Sequence, residues 1–168
     1  RLRLGGSLRL NHKESGMRQR IDFIKVAPEV YKAMSGLGAC VNNSGLERSL
    51  LELVKTRASQ INGCAFCLDM HTLDARAQGE TEQRLYLLPA WREAPFYTDR
   101  ERAALEWTEA LTRVAESQVP DEVYATARQQ FSEKELVDLS LAIVAINGWN
   151  RLAIAFRKQA GTYKPAAK

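Results

Sequence analysis

Cys64 and Cys67 stand three residues apart in Cys64-Ala65-Phe66-Cys67-Leu68-Asp69-Met70-His71, and His71 follows the second cysteine by four. On a helix, residues three and four apart are neighbours. At about 100° per residue, Cys64, Cys67, Leu68, His71 and Ala75 share one side, and Phe66, Met70, Leu73 and Ala77 share the other. The pattern predicts an apolar stripe for the core and a separate stripe carrying two sulfurs and an imidazole. Asn62-Gly63 directly precedes the pair and places it in the first turn of a new helix. Unpaired N–H groups and the positive end of the helix dipole favour a thiolate there. A thiolate attacks a peroxide or a disulfide, and a second thiol beside it can close a disulfide on the oxidised sulfur. His71 lies one turn beyond Cys67, within reach of a proton exchange made directly or through water. His71 is also the only histidine outside the first sixteen residues, the other being His12.

Two further residues need weighing. Glu52 lies ten residues before Asn62, and His71 lies eight after Gly63. If the two helices fold back on each other, both reach a similar depth at about 1.5 Å per residue, where a carboxylate could orient the imidazole. Helical phase points Glu52 away from the Leu50/Leu53/Val54 stripe and toward Arg48, Lys55 and Ser59. Phase alone therefore reads Glu52 as a solvated carboxylate. It enters the site only if another helix or subunit covers that face. Cys40, in a Gly- and Asn-rich stretch without a partner at obvious spacing, reads as a small buried apolar residue.

The elements that must hold these groups are helical, with almost no period-two alternation. Pro28 sits in a first turn, and Gly36 and Gly38 interrupt the pattern that follows it. Leu46–Ile61 is amphipathic and ends at Asn62-Gly63, glycine being common just past a helix end. Helices then run from about Cys64 to Gln78 and from Thr81 to Leu88. Thr98-x-x-Glu101 and Ser132-x-x-Glu135 are capping boxes, and Pro120 opens a helix between them. Leu136–Ile146 is apolar on nearly every side and suits a core or a subunit interface. Ile61-Asn62-Gly63 recurs as Ile146-Asn147-Gly148, which suggests two related helical hairpins; a chance tripeptide at two helix breaks accounts for it equally well.

The chain has 168 residues and a net charge of +4. Residues 1–16 hold four basic residues and one acid, so the remainder carries only +1 and lacks a broad basic field for nucleic acid. That opening stretch has no continuous apolar segment and fails as a secretory signal. We read 1–16 as a leader or appended extension and 17–168 as a single domain. No unbroken apolar run approaches the ~18 residues of a membrane span. A cytoplasmic location follows, where a close cysteine pair is more often catalytic or metal-binding than a structural staple.

Glu52, then Cys64-x-x-Cys67 twelve residues later, then His71 four beyond the second cysteine, resembles the AhpD-like branch of the carboxymuconolactone decarboxylase family. The likeness is strongest over Leu46–Gly79. It implies an all-α, AhpD-like helical bundle and a thiol-dependent peroxidase. In that scheme Cys67 attacks the peroxide, Cys64 donates a proton and closes the disulfide, and Glu52 and His71 relay protons. It implies a small-molecule hydroperoxide as substrate, a dithiol or protein reductant, and a homo-oligomer, trimer or hexamer, with no cofactor or metal. Phe66 departs from the pattern, because well-studied peroxidases of this type carry a histidine between the cysteines. Three rival readings remain at this stage. They are zinc bound by Cys64, Cys67, His71 and Glu52; a decarboxylase or lactone-type enzyme using His71 and Glu52; and a non-enzymatic helical assembly.

Overall fold

The computed structural model describes residues 18–165, so the reading of 1–16 as an extension lies outside the described residues. Within them the chain forms nine α-helices and no strand, as the spacing of apolar residues predicts. They are α1 (Phe23–Val26), α2 (Pro28–Asn42), α3 (Arg48–Asn62), α4 (Ala65–Ala77), α5 (Glu82–Leu87), α6 (Asp99–Thr112), α7 (Val114–Ser117), α8 (Asp121–Gln130) and α9 (Glu133–Phe156). A 3₁₀ turn, Leu88–Ala90, follows α5. Both capping boxes form. Thr98 caps α6 and Ser132 caps α9, each accepting from the backbone N–H of its N3 glutamate, which reaches back to the cap.

The centre of the bundle is α3, which packs against α4, α6 and α9. With three helices around it, α3 buries residues on more than its apolar stripe. Leu50, Leu51, Leu53, Val54 and Ala58 are inside, and so are Glu52, Thr56 and Ser59. The second long element, α9, packs against α2, α3 and α6 and buries Leu136, Leu139, Ile143 and Ile146. By length and composition α9 is also apolar enough to cross a membrane, a property the sequence reading did not assign to it. The side chains just named lie inside the bundle.

Two breaks expected from glycine do not occur. Helix α2 continues through Gly36 and Gly38, which stand in open space on its surface. Helix α9 runs without interruption through Asn147-Gly148. The two Ile-Asn-Gly copies therefore do different work. Gly63 ends α3 in the left-handed conformation (φ 69°), which a side chain resists. Gly148 is helical, and a Cβ there would lie 2.8 Å from Cε of Met34 on α2, so its smallness serves close helix packing. The second hairpin suggested by the repeat is absent because nothing in α9 requires left-handed backbone.

Candidate active site

The left-handed turn at Gly63 reverses the chain so that α4 returns along α3. Cys64 is the N-cap of α4, one position earlier than a first-turn residue, with extended backbone (φ −85°, ψ 96°). Cys67, His71 and Ala75 form the buried stripe of this helix. The sequence reading has the two stripes reversed. The sulfur and imidazole face inward, while Leu73 is exposed and Phe66 and Met70 line a cavity. The reason is that α4 meets both α3 and α9, and the small side chains of Cys67 and Ala75 allow the closer approach. Both cysteines are 1% exposed and pack with Ala58, Ile146 and Ala153.

Glu52 corrects the reading taken from phase alone. It is 6% exposed, and its Oε2 lies 2.8 Å from Nδ1 of His71. Its other oxygen accepts from Nζ of Lys55 at 2.9 Å. Burial works to raise the Glu52 carboxyl pKa. The hydrogen bond and charge of His71, together with Lys55, outweigh burial and hold it below the usual carboxylate range. An ionised Glu52 can only accept, so Nδ1 carries the proton of that bond, and Nε2 is the nitrogen left to take up or release a proton. Asp74, one turn beyond, brings a carboxylate within 4.8 Å of the Glu52 and His71 ligand atoms and takes the Tyr163 hydroxyl at 2.8 Å. Among the described residues the cysteines stand outside this acidic group, so the four-ligand zinc set drawn from sequence is not gathered as one cluster.

The two thiols are coupled. The Cys64 pKa is lowered to about 7, first by the hydrogen bond from the Cys67 thiol. Burial opposes this. The amide N–H groups of Cys67 and Phe66 at the open helix start and the Asn150 side chain assist it. Cys67 is pushed up by its bond to Cys64, by burial and by the Cys64 charge, with Asn150 and Lys158 pulling the other way. The first proton the pair loses therefore leaves from Cys64, and the single negative charge that results is shared between the two sulfurs. The two sulfurs also face different cavities. Cys67, with His71, lines a cavity of about 380 Å³ between α1, α2, α4 and α9, whereas Cys64 lines a separate cavity of about 330 Å³ with Phe66, Ala153 and Lys158.

Asn150 is the residue that sequence reading missed. It is fully buried on α9, and its Nδ2 donates to Ser59 Oγ at 3.1 Å. Its Oδ1 accepts from Asn62 Nδ2 at 2.8 Å, and Asn62 also donates to Asn147 at 2.9 Å. The repeated asparagines 62 and 147 therefore touch, and with Asn150 they tie the α3–α4 turn to α9 beneath the sulfurs. A pattern of Asn147-x-x-Asn150 one helical turn apart was the available signal. Cys40, expected to be buried, is exposed on α2 and unbridged.

Residues 28–110 match the model of the carboxymuconolactone decarboxylase family. The uncharacterised protein YdfG of Bacillus subtilis (strain 168) is 47% identical over 146 residues, 87% of this chain and 99% of YdfG. The chain belongs to the carboxymuconolactone decarboxylase family. A crystal structure of ATU0492 from Agrobacterium tumefaciens, a protein of unknown function provisionally assigned to AhpD antioxidant defence, superposes with a TM-score of 0.84. It is 46% identical, and the match covers 87% of this chain and 100% of that one. The AhpD-like helical fold expected from the Glu52–Cys64–Cys67–His71 spacing is thereby established. The debrominase Bmp8 shares the fold at 19% identity, with a TM-score of 0.74 over 83% of this chain and 75% of its own.

Proposed function

We propose that this protein is a thiol-dependent peroxidase that reduces organic hydroperoxides through the Cys64/Cys67 pair, with Glu52 and His71 as its proton relay. The observation that carries this reading is the placing of Cys67 and His71 on one apolar cavity, with Glu52 buried behind His71 and Cys64 hydrogen-bonded behind Cys67. The provisional assignment of ATU0492 to antioxidant defence supports it.

Once ionised the pair carries one thiolate, and of the two sulfurs only Cys67 lines the apolar cavity shared with His71. As a peroxide arrives, Cys67 passes its proton to the Cys64 thiolate across their hydrogen bond and takes up the charge, while the proton lost when the pair ionised is held on Nε2 of His71. Cys67 Sγ attacks the terminal peroxide oxygen, and the O–O bond breaks. The leaving alkoxide takes a proton from the Cys64 thiol and departs as alcohol. Cys67 is now a sulfenic acid, and Cys64 is the thiolate. Cys64 attacks the Cys67 sulfur and closes the disulfide; the hydroxide leaves as water with a proton passed by His71. One hydroperoxide and two thiols give one alcohol, one water and one disulfide, which an external dithiol reduces. Glu52 holds the Nδ1 proton in place, so Nε2 is the nitrogen that exchanges protons with the site.

Consumption of cumene hydroperoxide in the presence of dithiothreitol tests the proposal. Wild type turns over; Cys67→Ser does not; Cys64→Ser gives one stoichiometric oxidation to a sulfenic acid that a dimedone probe traps. Equal turnover by Cys67→Ser contradicts the assignment.

A further inference from the structure

We propose that the cavity selects hydroperoxides carrying a carboxylate on an apolar chain, with Lys158 as the group that binds the acid. The inference rests on the peroxidase reading for the fate of the substrate, but the anion site stands on its own geometry.

The cavity wall is largely apolar. Val41, Phe66, Met70, Ile146 and Trp149 give it hydrophobic surface from three helices, and its volume of about 380 Å³ is that of a small-ligand pocket. Such a wall favours a hydrocarbon body over hydrogen peroxide, because burying apolar ligand surface is the available driving force. The polar groups on the wall are mostly occupied. Lys55 is paired with Glu52 at 2.9 Å, and the Tyr163 hydroxyl bonds Asp74 at 2.8 Å. Lys158 differs. Among the described residues no carboxylate lies within 4.0 Å of its Nζ.

Lys158 is nevertheless held in place. Arg157, the C-cap of α9, takes left-handed backbone (φ 54°, ψ 52°), a conformation that a residue with a side chain resists. The Lys158 N–H then closes on Ala153 O at 2.9 Å. This turn lays the ammonium 4.7 Å from the centroid of the Phe66 ring and 5.6 Å from that of Phe23. The cation therefore sits on aromatic faces at the wall of the cavity, beside the residue that follows Ala65 between the two cysteines. A carboxylate pairing with Nζ would leave its chain along Phe66, Ile146 and Trp149, with the peroxide group directed to Cys67.

Two other charges could claim Lys158: the negative end of α9 and the thiolate of the cysteine pair. Either would make Lys158 matter equally for charged and uncharged ligands, so an acid compared with its ester isolates the substrate interaction.

The test has two arms. Calorimetry measures binding of dodecanoate and of its methyl ester to the reduced protein, in wild type, Lys158→Gln and Lys158→Arg. Wild type binds the acid about tenfold more tightly than the ester, Lys158→Arg keeps the preference, and Lys158→Gln loses it, as expected for one partly buried charge-assisted contact. Equal affinities in wild type, or the same acid preference in Lys158→Gln, overturn the inference. The turnover arm compares a fatty-acid hydroperoxide with its methyl ester under the same three conditions and follows the same ratio of kcat/KM. If no hydroperoxide is consumed, the peroxidase reading falls, and the calorimetry still decides the anion site.

Discussion

Replacing Glu52 by Gln keeps the shape of the relay and removes its charge. In the wild type Glu52 meets His71 Nδ1 at 2.8 Å and Lys55 Nζ at 2.9 Å, with side chains only 8% exposed at both ends of the Glu52–His71 contact. A hydrogen bond to a charged partner is worth about 1.5–3 kcal/mol and a neutral one about 0.5–1.5. The substitution therefore costs about 1–1.5 kcal/mol in holding the ring, and most of that falls on the imidazolium formed when His71 takes a proton. One pKa unit is about 1.4 kcal/mol, so the reaction slows roughly tenfold. Glu52→Ala leaves a buried N–H without a partner and costs on the order of 1–3 kcal/mol more. His71→Ala removes the proton carrier itself, with an expected loss of about 10²–10⁴. The assay is single-turnover loss of two thiols on mixing with cumene hydroperoxide, run from pH 6 to 9. The pair gains its thiolate as pH rises through about 7. Below that value the relay must supply the charge, and above it solvent does, so the defect of each variant shrinks as pH rises. Folded Glu52→Gln protein with wild-type rates from pH 6 to 8, or a defect that grows with pH, refutes the relay.

Asn150→Ala raises the thiolate midpoint above about 7, because Asn150 helps hold the Cys64 pKa down; absorbance of the thiolate near 240 nm as a function of pH reads this directly. The two Ile-Asn-Gly copies respond with opposite consequence. Gly63→Ala loses about 1 kcal/mol in chemical denaturation because φ is 69°. Gly148→Ala stays within about 0.5 kcal/mol, since its clash is with the flexible end of Met34 and the helix gains propensity. We propose self-association through the outer face of α9, where Val137 and Val144 are 68% and 58% exposed. Val137→Glu with Val144→Glu lowers the mass in sedimentation, and a monomeric wild type at micromolar concentration contradicts the proposed oligomer.

The helices were legible in the sequence because their signals are local. Apolar spacing, two capping boxes and Gly63 set α3, α4, α6 and α9 within a residue or two at their starts. The core of the candidate site could be drawn from sequence as well, since Cys64, Cys67 and His71 lie within eight residues at the start of one helix and its cap. What failed depends on neighbours that spacing does not reveal. Helical phase sent Glu52 to solvent because phase measures one helix, and α3 has helices on three sides. The same ignorance exchanged the two faces of α4. Gly148 read as a break because a glycine used for close approach and a glycine used for left-handed backbone are the same letter. Asn150 was passed over because its partners, Ser59 and Asn62, are 91 and 88 residues away. Cys40 read as buried from residue type alone, and its face of α2 has no cover among the described residues.

The central claim is that Cys64 and Cys67 act as one redox unit on a hydroperoxide. The direct measurement is mass spectrometry of the reduced protein after one equivalent of cumene hydroperoxide, with free thiols alkylated and the peptides mapped. The account predicts loss of two hydrogens per chain, a Cys64–Cys67 disulfide, one equivalent of the alcohol, and Cys40 still alkylated. Retention of both thiols while the peroxide persists contradicts it.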